Sequence, residues 1–558
     1  MQKKLSVVLG FLLLLVVSIQ AQNNEFALHL DKPFYVTGEK IWYKIYTPVN
    51  MEKSMVIKGS MVGPNGNVKE RFFLRSNPDE AFIKGVFSIP FSYRSGMHRL
   101  AFFASAAPDQ PAVELVNIDL PIYNDFEIKS LAERMRAGQA PTDMSAAEPT
   151  ALDQLQVSVV LNKERFSPRE AVKAEIKVTD TAGNPVNANL SMVARDAALV
   201  EAALPGGSTY VEGAPLSGDL IRQFSEEIFI KGEVSDTLGN RVQANVLGGY
   251  ASLHQRIFYG KTNPAGRFTF TVPDFYGEQT LQFIGYPKEV EEIRVRLFED
   301  GEKPEGTLPI NDQILKYLEG TQQKKKMAEH FEYLAENIEI PDVDNEFDNL
   351  EADFTYTADD YVKFETVGDF FSELLTPLKF RIVNGKYEAR MQNPRSRDAS
   401  FANLPGKPLF IIDGKITRNA DFIARSSWSN VRSVDIFYIS EKLRQQFNIL
   451  AQGGVARIET KIPQFAMPPN EQEDVFTIQG LSQGGSFVPY RPGQSSAEIR
   501  LPNFLMPTFW APALEADRNG AATLEFFQGD DTSTFVLEVI AQGPDGKRGS
   551  ARVRYVVQ

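Results

Sequence analysis

The chain has 558 residues, 43% of them hydrophobic, with 72 acids against 59 bases; that content can bury several cores, and the length implies about three to five domains. The acidic balance, with no dense basic cluster beyond Lys324, Lys325 and Lys326, argues against a nucleic-acid partner, which would need a basic face to collect phosphates. Cysteine is absent, which excludes a thiol nucleophile, an internal thioester, a thiolate zinc site, an iron–sulfur cluster and a lipid-bearing N-terminal cysteine.

Lys3 and Lys4 precede an apolar run over residues 5–17 and then Ser18, Ile19, Gln20 and Ala21, the order of a secretory signal. Residues 1–21 are therefore expected to be removed, with an uncleaved anchor as the alternative, although the run is short of a bilayer span. No later stretch is apolar enough to cross a membrane as a helix. The mature chain is expected in an oxidising compartment, yet it must fold without disulfides.

Residues 22–126 read as a first β-sandwich and 156–226 as a second, because one pattern opens both. Leu30-Asp31-Lys32-Pro33-Phe34-Tyr35-Val36-Thr37-Gly38-Glu39-Lys40-Ile41 returns as Leu161-Asn162-Lys163-Glu164-Arg165-Phe166-Ser167-Pro168-Arg169-Glu170-Ala171-Val172. A strand of period two follows, in which Val172, Ala174, Ile176 and Val178 face a core and Lys173, Glu175 and Lys177 face water. Between the two sandwiches, residues 127–155 turn to Ala, Pro, Thr, Met and Gln, the composition of a linker.

A second repeat joins Asp180-Thr181-Ala182-Gly183-Asn184 to Asp236-Thr237-Leu238-Gly239-Asn240, each a tight turn between strands. Residues 227–300 read as a third sandwich, with Phe268, Phe270 and Val272 on one face. Residues 301–360 read as a connector. Its helical pattern over 311–333 is interrupted by Gly320, and residues 332–360 are acidic without a single Lys or Arg. Residues 361–465 read as a small α+β unit, with an amphipathic helix that puts Val367, Phe370, Phe371 and Leu374 on one face. A β segment over 466–558 closes the chain.

Residues 30–45 resemble the start of a macroglobulin domain, and Leu190-Ser191-Met192-Val193-Ala194-Arg195-Asp196 is similar to a later strand of that module. Residues 230–270 resemble the transthyretin-like regulatory domain of carboxypeptidases. Pro408-Leu409-Phe410-Ile411-Ile412-Asp413-Gly414, Val431-Arg432-Ser433-Val434-Asp435-Ile436 and residues 453–461 resemble the plug of TonB-dependent receptors. Residues 507–512 with Asp517-Arg518-Asn519-Gly520 look like a late macroglobulin segment. This order resembles a group of Bacteroidota envelope proteins. The resemblance implies a mainly β fold: a string of immunoglobulin-like or macroglobulin and transthyretin-like sandwiches plus a small α+β plug-like domain.

Three inherited activities are excluded. A 22-stranded barrel needs roughly 200 residues in strands alone, whereas the 558-residue sequence ends roughly 100 residues beyond Lys461. A macroglobulin thioester needs the missing cysteine. None of His29, His98, His254 and His330 has a Glu three residues on, as a carboxypeptidase zinc site requires.

Nor is there a nucleophile elbow or a phosphate-cradling glycine loop. Asp342-Val343-Asp344-Asn345-Glu346-Phe347-Asp348 begins like a calcium loop, but Phe347 stands where the turn wants Gly and Asp353 replaces the closing Glu, which favours a solvated acidic linker. Thr181 and Thr237 fit the O-glycosylation acceptor of Bacteroidota, or else their Asp-Thr pairs simply cap turns. Asp413 reads as turn chemistry, and Trp42 and Trp510 as core fillers of sandwiches.

The expectation is thus a non-enzymatic scaffold with no catalytic residue, metal or cofactor, held in the periplasm and associated with the outer membrane. Its partners would be periplasmic or outer-membrane proteins; its oligomeric state is open. The alternatives are an accessory of TonB-dependent uptake and a protease inhibitor without a thioester.

Overall fold

The structure, a computed structural model, describes residues 25–49, 51–138, 152–197, 209–244, 246–252, 256–286, 293–298, 300–330, 350–361, 364–374, 377–393, 403–438, 441–462, 475–482, 487, 489 and 509–558. It is mainly β, with β-sandwiches and one α+β unit. The first sandwich faces a sheet ordered Tyr210–Glu212, Ala27–Leu30, Lys40–Tyr46 and Phe82–Ser88 against one ordered Tyr35–Val36, Val113–Tyr123, Gly96–Ala104, Val56–Val62 and Val68–Arg75. Leu28, Leu30, Ile41, Tyr43, Ile57 and Phe102 fill its core.

The opening repeat has a physical cause. Lys32 and Glu39 pair at 2.6 Å while the Glu39 carboxylate accepts from the Val36 amide at 2.8 Å, and Lys163 and Glu170 pair likewise while Glu170 accepts from the Ser167 amide at 2.9 Å. Asp31 accepts from the Trp42 amide and Asn162 from the Lys173 amide, both at 2.9 Å. In each copy these bonds fold the turn so that a two-residue strand pairs in parallel with a later strand of its sandwich, Tyr35 with Ile122 and Arg165 with Val556.

Units separate in the linear reading are joined in space. The second sandwich takes Gln156–Leu161, Arg165–Phe166, Ala171–Thr179 and Asn189–Asp196 from one segment and Phe509–Glu515, Ala521–Phe527, Ser533–Gln542 and Arg548–Val557 from the other end of the chain. Asn189–Asp196 lies between Ser533–Gln542 and Phe509–Glu515, and Ala171–Thr179 lies between Ala521–Phe527 and Gln156–Leu161. The expected independent units over 156–226 and 466–558 are thereby corrected. Strands of the first segment alone would leave bare edges.

Tyr210–Glu212 likewise leaves the second unit and pairs with Ala27–Leu30 in the first. Val475–Gln479 joins the third sandwich beside Glu278–Tyr286. The linker reading of 127–155 is corrected in its first part by the helix Ile128–Arg136. The predicted alternation holds: Val172, Ala174, Ile176 and Val178 are buried and the three charges between them exposed.

The third sandwich packs Arg267–Val272, Ile228–Asp236 and Ile293–Leu297 against Arg256–Gly260, Val246–Ala251, Glu278–Tyr286 and Val475–Gln479. The helix Asp312–His330 runs through Gly320 without a break and lays Ile314, Tyr317 and Leu318 on Phe34, Val36 and Tyr123 of the first sandwich. Lys325 meets Asp125 at 2.9 Å and Lys324 meets Asp531 at 2.8 Å.

The α+β unit has a sheet ordered Phe354–Thr357, Val431–Phe437, Val455–Thr460, Leu409–Ile412 and Lys415–Thr417. Its edge strand Phe354–Thr357 comes from the segment expected to be connector. The helix Val367–Glu373, closed at its start by the Thr366–Asp369 capping box, buries Val367, Phe370 and Phe371. Leu409, Ile411, Phe447 and Leu450 pack this unit on Tyr250, Ile257 and Ile284 of the third sandwich.

Candidate functional site

Strands buried on both faces mark where sandwiches stack. In Ala27–Leu30, Lys40–Tyr46, Asn189–Asp196 and Ser533–Gln542 one parity fills a sandwich core, while His29, Lys44, Tyr46, Ser191, Arg195 and Glu538 on the other parity are buried as well. The first and second sandwiches therefore form four layers with a polar seam in the middle. Trp42 and Trp510 lie in this seam with Val193, which corrects their reading as core fillers.

The seam brings a serine, a histidine and a carboxylate together. His29 Nδ1 lies 2.6 Å from Ser191 Oγ, and His29 Nε2 lies 3.9 Å from Glu538, a distance for electrostatic attraction and not for a hydrogen bond. Glu538 is held by Arg195 at 2.7 Å, by Arg552 Nε at 2.7 Å and by the Thr209 hydroxyl at 2.9 Å. Burial pushes its carboxyl upward, but the guanidinium charges of Arg195 and Arg552 outweigh that and hold it well below the usual range. Burial also lowers His29, and it lowers Lys44 strongly, so both favour their neutral forms.

Lys44 donates to the Leu190 carbonyl at 3.0 Å and to Asn189. The Tyr46 hydroxyl donates to the Ile540 carbonyl at 3.0 Å and meets Ser191 at 2.7 Å. His29 and Ser191 are fully buried, so the serine presents no surface to solvent. The arrangement orients two sandwiches.

Open space lies elsewhere. A cleft of about 730 Å³ separates the first and third sandwiches, walled by Phe73, Phe103, Phe229 and Phe298 and edged by Lys58 and Lys231. Lys58 pairs with Asp300 at 2.8 Å. Lys231 donates to the carbonyls of Ala107 and Gln110; burial lowers its ammonium, with Asp300 opposing and Lys58 adding to the effect. Aromatic walls with fixed ammonium groups suit an apolar segment that carries acidic or carbonyl oxygens.

The third feature is a hairpin. Leu378–Val383 pairs with Lys386–Met391 as a sheet of its own, turned by Asn384 and Gly385 at φ 52° and 80°, the positive values a tight hairpin turn requires. Its tip is exposed, Ile382 by 65% and Val383 by 41%.

No protein-family model matches the sequence, and no curated protein matches it significantly. Among solved structures, the native alpha-2-macroglobulin of Escherichia coli is 9% identical, with a TM-score of 0.24 over 97% of this chain and 40% of that one. Its elastase-activated form is 11% identical, with a TM-score of 0.23 over 95% and 43%. The Yersinia pseudotuberculosis adhesin InvE is 10% identical, with a TM-score of 0.13 over 49% and 59%. The chain spans about two-fifths of the length of those macroglobulins. Superpositions this loose transfer neither fold nor function.

Thr181 and Thr237 occupy matching exposed turns in the second and third sandwiches. Asp180 accepts from the Ala182 and Asn184 amides at 2.9 and 2.8 Å, and Asp236 from the Leu238 and Asn240 amides at 3.0 and 2.8 Å. The aspartates thus cap the turns, and both threonines stay exposed. Asp413 sits at φ 44° and accepts from the Thr460 amide at 2.9 Å, a structural role. The calcium-like segment 342–348 lies outside the described residues; among the described residues no three His, Asp or Glu gather as a metal site.

The seam residues escaped the sequence reading because they are far apart, His29 and Ser191 by 162 positions. A signal existed in residues 533–542, where Val536 and Ile540 flank Glu538 on the parity opposite Phe535, Leu537 and Val539. Apolar residues on both parities announce a strand covered on both sides.

A second buried histidine offers a test of pH dependence. His98 stacks on Tyr93 at 5.3 Å and burial lowers it to about 4. The unfolded chain takes up this proton near pH 6.5 while the folded chain refuses it until about 4. Its contribution is therefore whole above 6.5 and falls with acidification, by about 2 kcal/mol at pH 5 and about 3 kcal/mol near pH 4. His29 acts with the same sign. Asp31, raised to about 6 by burial against the pull of Lys32, Tyr35 and the Trp42 amide, acts with the opposite sign between 6 and 3.8. Urea unfolding of wild type and His98→Phe at pH 7 and pH 5 isolates the term: the variant is expected to lose about 2 kcal/mol less on acidification. An equal loss in both proteins would refute it.

Proposed function

We propose that the protein is a non-enzymatic scaffold of a bacterial envelope, periplasmic and associated with the outer membrane, which holds other proteins against its sandwiches and its plug-like α+β unit. The observation that carries this reading is the contrast between sealed and open chemistry. Ser191, His29 and Glu538 converge where they are sealed from solvent, while the aromatic and lysine cleft opens outward. Three interlocked sandwiches also supply a stiff frame, which is what presenting fixed surfaces requires.

The shared Lys–Glu turn supports reading the first two sandwiches as macroglobulin-like. We read Thr181 and Thr237 as O-glycan acceptors, since both are exposed on turns that tolerate a bulky group.

Affinity isolation from mildly solubilised native envelopes, with mass spectrometry of the eluate, tests the scaffold. The expected result is recovery with outer-membrane β-barrel proteins, reduced by Lys58→Glu with Lys231→Glu in the cleft. A free monomer in the soluble fraction would contradict it. A receptor barrel with a surface glycan-binding protein in the eluate would turn the reading toward uptake, and a protease toward inhibition. The same mass spectra show whether Thr181 and Thr237 carry sugar.

A further inference from the structure

The hairpin of Leu378–Val383 and Lys386–Met391 has two different faces. Opposed pairs Leu378 with Met391, Phe380 with Ala389 and Ile382 with Tyr387 share one face, and Lys379 with Arg390, Arg381 with Glu388 and Val383 with Lys386 share the other. Leu378, Phe380, Ala389 and Met391 are buried in the core of the α+β unit. Ile382 continues their row past the edge of that core into the open.

On the second face stand Lys379, Arg381, Lys386 and Arg390 against the single carboxylate of Glu388. The hairpin is thus cationic in a chain whose net charge is −13. At its base Lys379 is engaged with the Leu374 carbonyl at 2.7 Å, and beside it Arg425 lies over the Tyr387 ring at 5.4 Å while pairing with Asp421 at 3.0 Å.

We propose that this hairpin is a membrane-docking finger, and that its ligand is the surface of a bilayer rich in anionic lipid. The geometry of the tip selects a bilayer over a protein. Ile382 and Val383 are adjacent, so their side chains leave opposite faces of the hairpin, and both are exposed. One flank of the turn is held by the helix Ala420–Arg425, where Arg425 donates to the Gly385 carbonyl at 3.3 Å and Asp421 accepts from the Tyr387 amide at 2.9 Å. A flat protein surface would cover one of the two exposed side chains and leave the other wet, whereas lipid can reach both.

Two residues at each strand's end, at about 3.3 Å per residue, span about 7 Å, the depth of the boundary between headgroups and acyl chains. At that depth Arg381 sits level with the lipid phosphates, and Lys386 reaches back to them along its aliphatic stem. No helix among the described residues is long and apolar enough to cross a membrane; a tip of this depth would hold the protein to a bilayer surface. This proposal stands apart from the protein-partner reading above, and neither depends on the other.

Flotation of the purified protein with vesicles of phosphatidylethanolamine and phosphatidylglycerol, and with vesicles of phosphatidylcholine alone, tests it. Wild type is expected to float with the anionic vesicles, to stay down with phosphatidylcholine, and to lose binding as salt is raised. Ile382→Ser with Val383→Ser should lower the partition coefficient at least about tenfold. Arg381→Glu with Lys386→Glu should remove the preference for anionic lipid. All four positions are exposed, so an unchanged thermal midpoint is expected in both variants, and it confirms that the fold is intact. The proposal is overturned if wild type ignores anionic vesicles, if it binds phosphatidylcholine equally, or if folded variants float as well as wild type.

Discussion

Ending the chain at residue 508 is expected to abolish the second sandwich. The truncation leaves Asn189–Asp196 without either neighbour and Ala171–Thr179 with only Gln156–Leu161. It also removes Phe509, Phe526, Phe535, Leu537, Val539 and Tyr555 from one core. Each such side chain is worth about 1.5 to 3 kcal/mol when buried, so their joint loss is as large as the whole stability of an ordinary domain. Damage spreads to the first sandwich, because Trp510, Glu538 and Ile540 no longer cover Trp42, His29 and Tyr46. Limited proteolysis with mass spectrometry gives the reading: new cleavages are expected throughout residues 152–197, which the full chain protects. Continued protection of that segment would disprove the shared sandwich.

The second large effect is expected at the seam. Glu538→Gln leaves Arg195 and Arg552 facing a neutral amide, and Arg195 and Glu538 are only 3% and 2% exposed. Removing one partner of such a pair costs about 3 to 5 kcal/mol, most of it the penalty of a buried charge left alone. Replacing both partners, Glu538→Leu with Arg195→Met, should restore much of that loss for the same reason. Lys173→Ala serves as the contrast: Lys173 and Glu525 meet at 3.1 Å with sides 59% and 47% exposed, and removal should cost under about 1 kcal/mol. Denaturant midpoints of the variants decide the matter. A Glu538→Gln effect no larger than that of Lys173→Ala would show the seam to be an inert filler.

The local chemistry of the fold was largely legible. The period-two run in residues 171–179, the turn around Lys163 and Glu170 and the twin Asp-Thr turns are each specified by neighbours in sequence, through amide-to-carboxylate bonds a few residues long. Strand partnership was not. Alternation tells which side chains face a core but is silent on which strand lies alongside, so Ser533–Gln542 could not be matched to Asn189–Asp196 from pattern alone. The seam was hidden for a related reason. Trp42 and Trp510 read as core fillers because large aromatics are usually inside a single domain, and only the stacking of two sandwiches shows that inside here means between. The hairpin was passed over because Ile382 and Val383 look like any other strand residues until their exposure is seen.

The return of the chain to earlier units sets a timetable for its birth. The first sandwich waits for Tyr210–Glu212, the third for Val475–Gln479, and the second for residues 509–558. Growth from the ribosome or passage through a pore delivers each of these pieces after the strands it completes, so Asn189–Asp196 must wait with open edges until residues 509–558 arrive. Such distant pairing slows folding and exposes sticky intermediates. Until residues 509–558 are available, the unpaired edges of Asn189–Asp196 and Ala171–Thr179 are the places where the growing chain can stick to itself or to another copy.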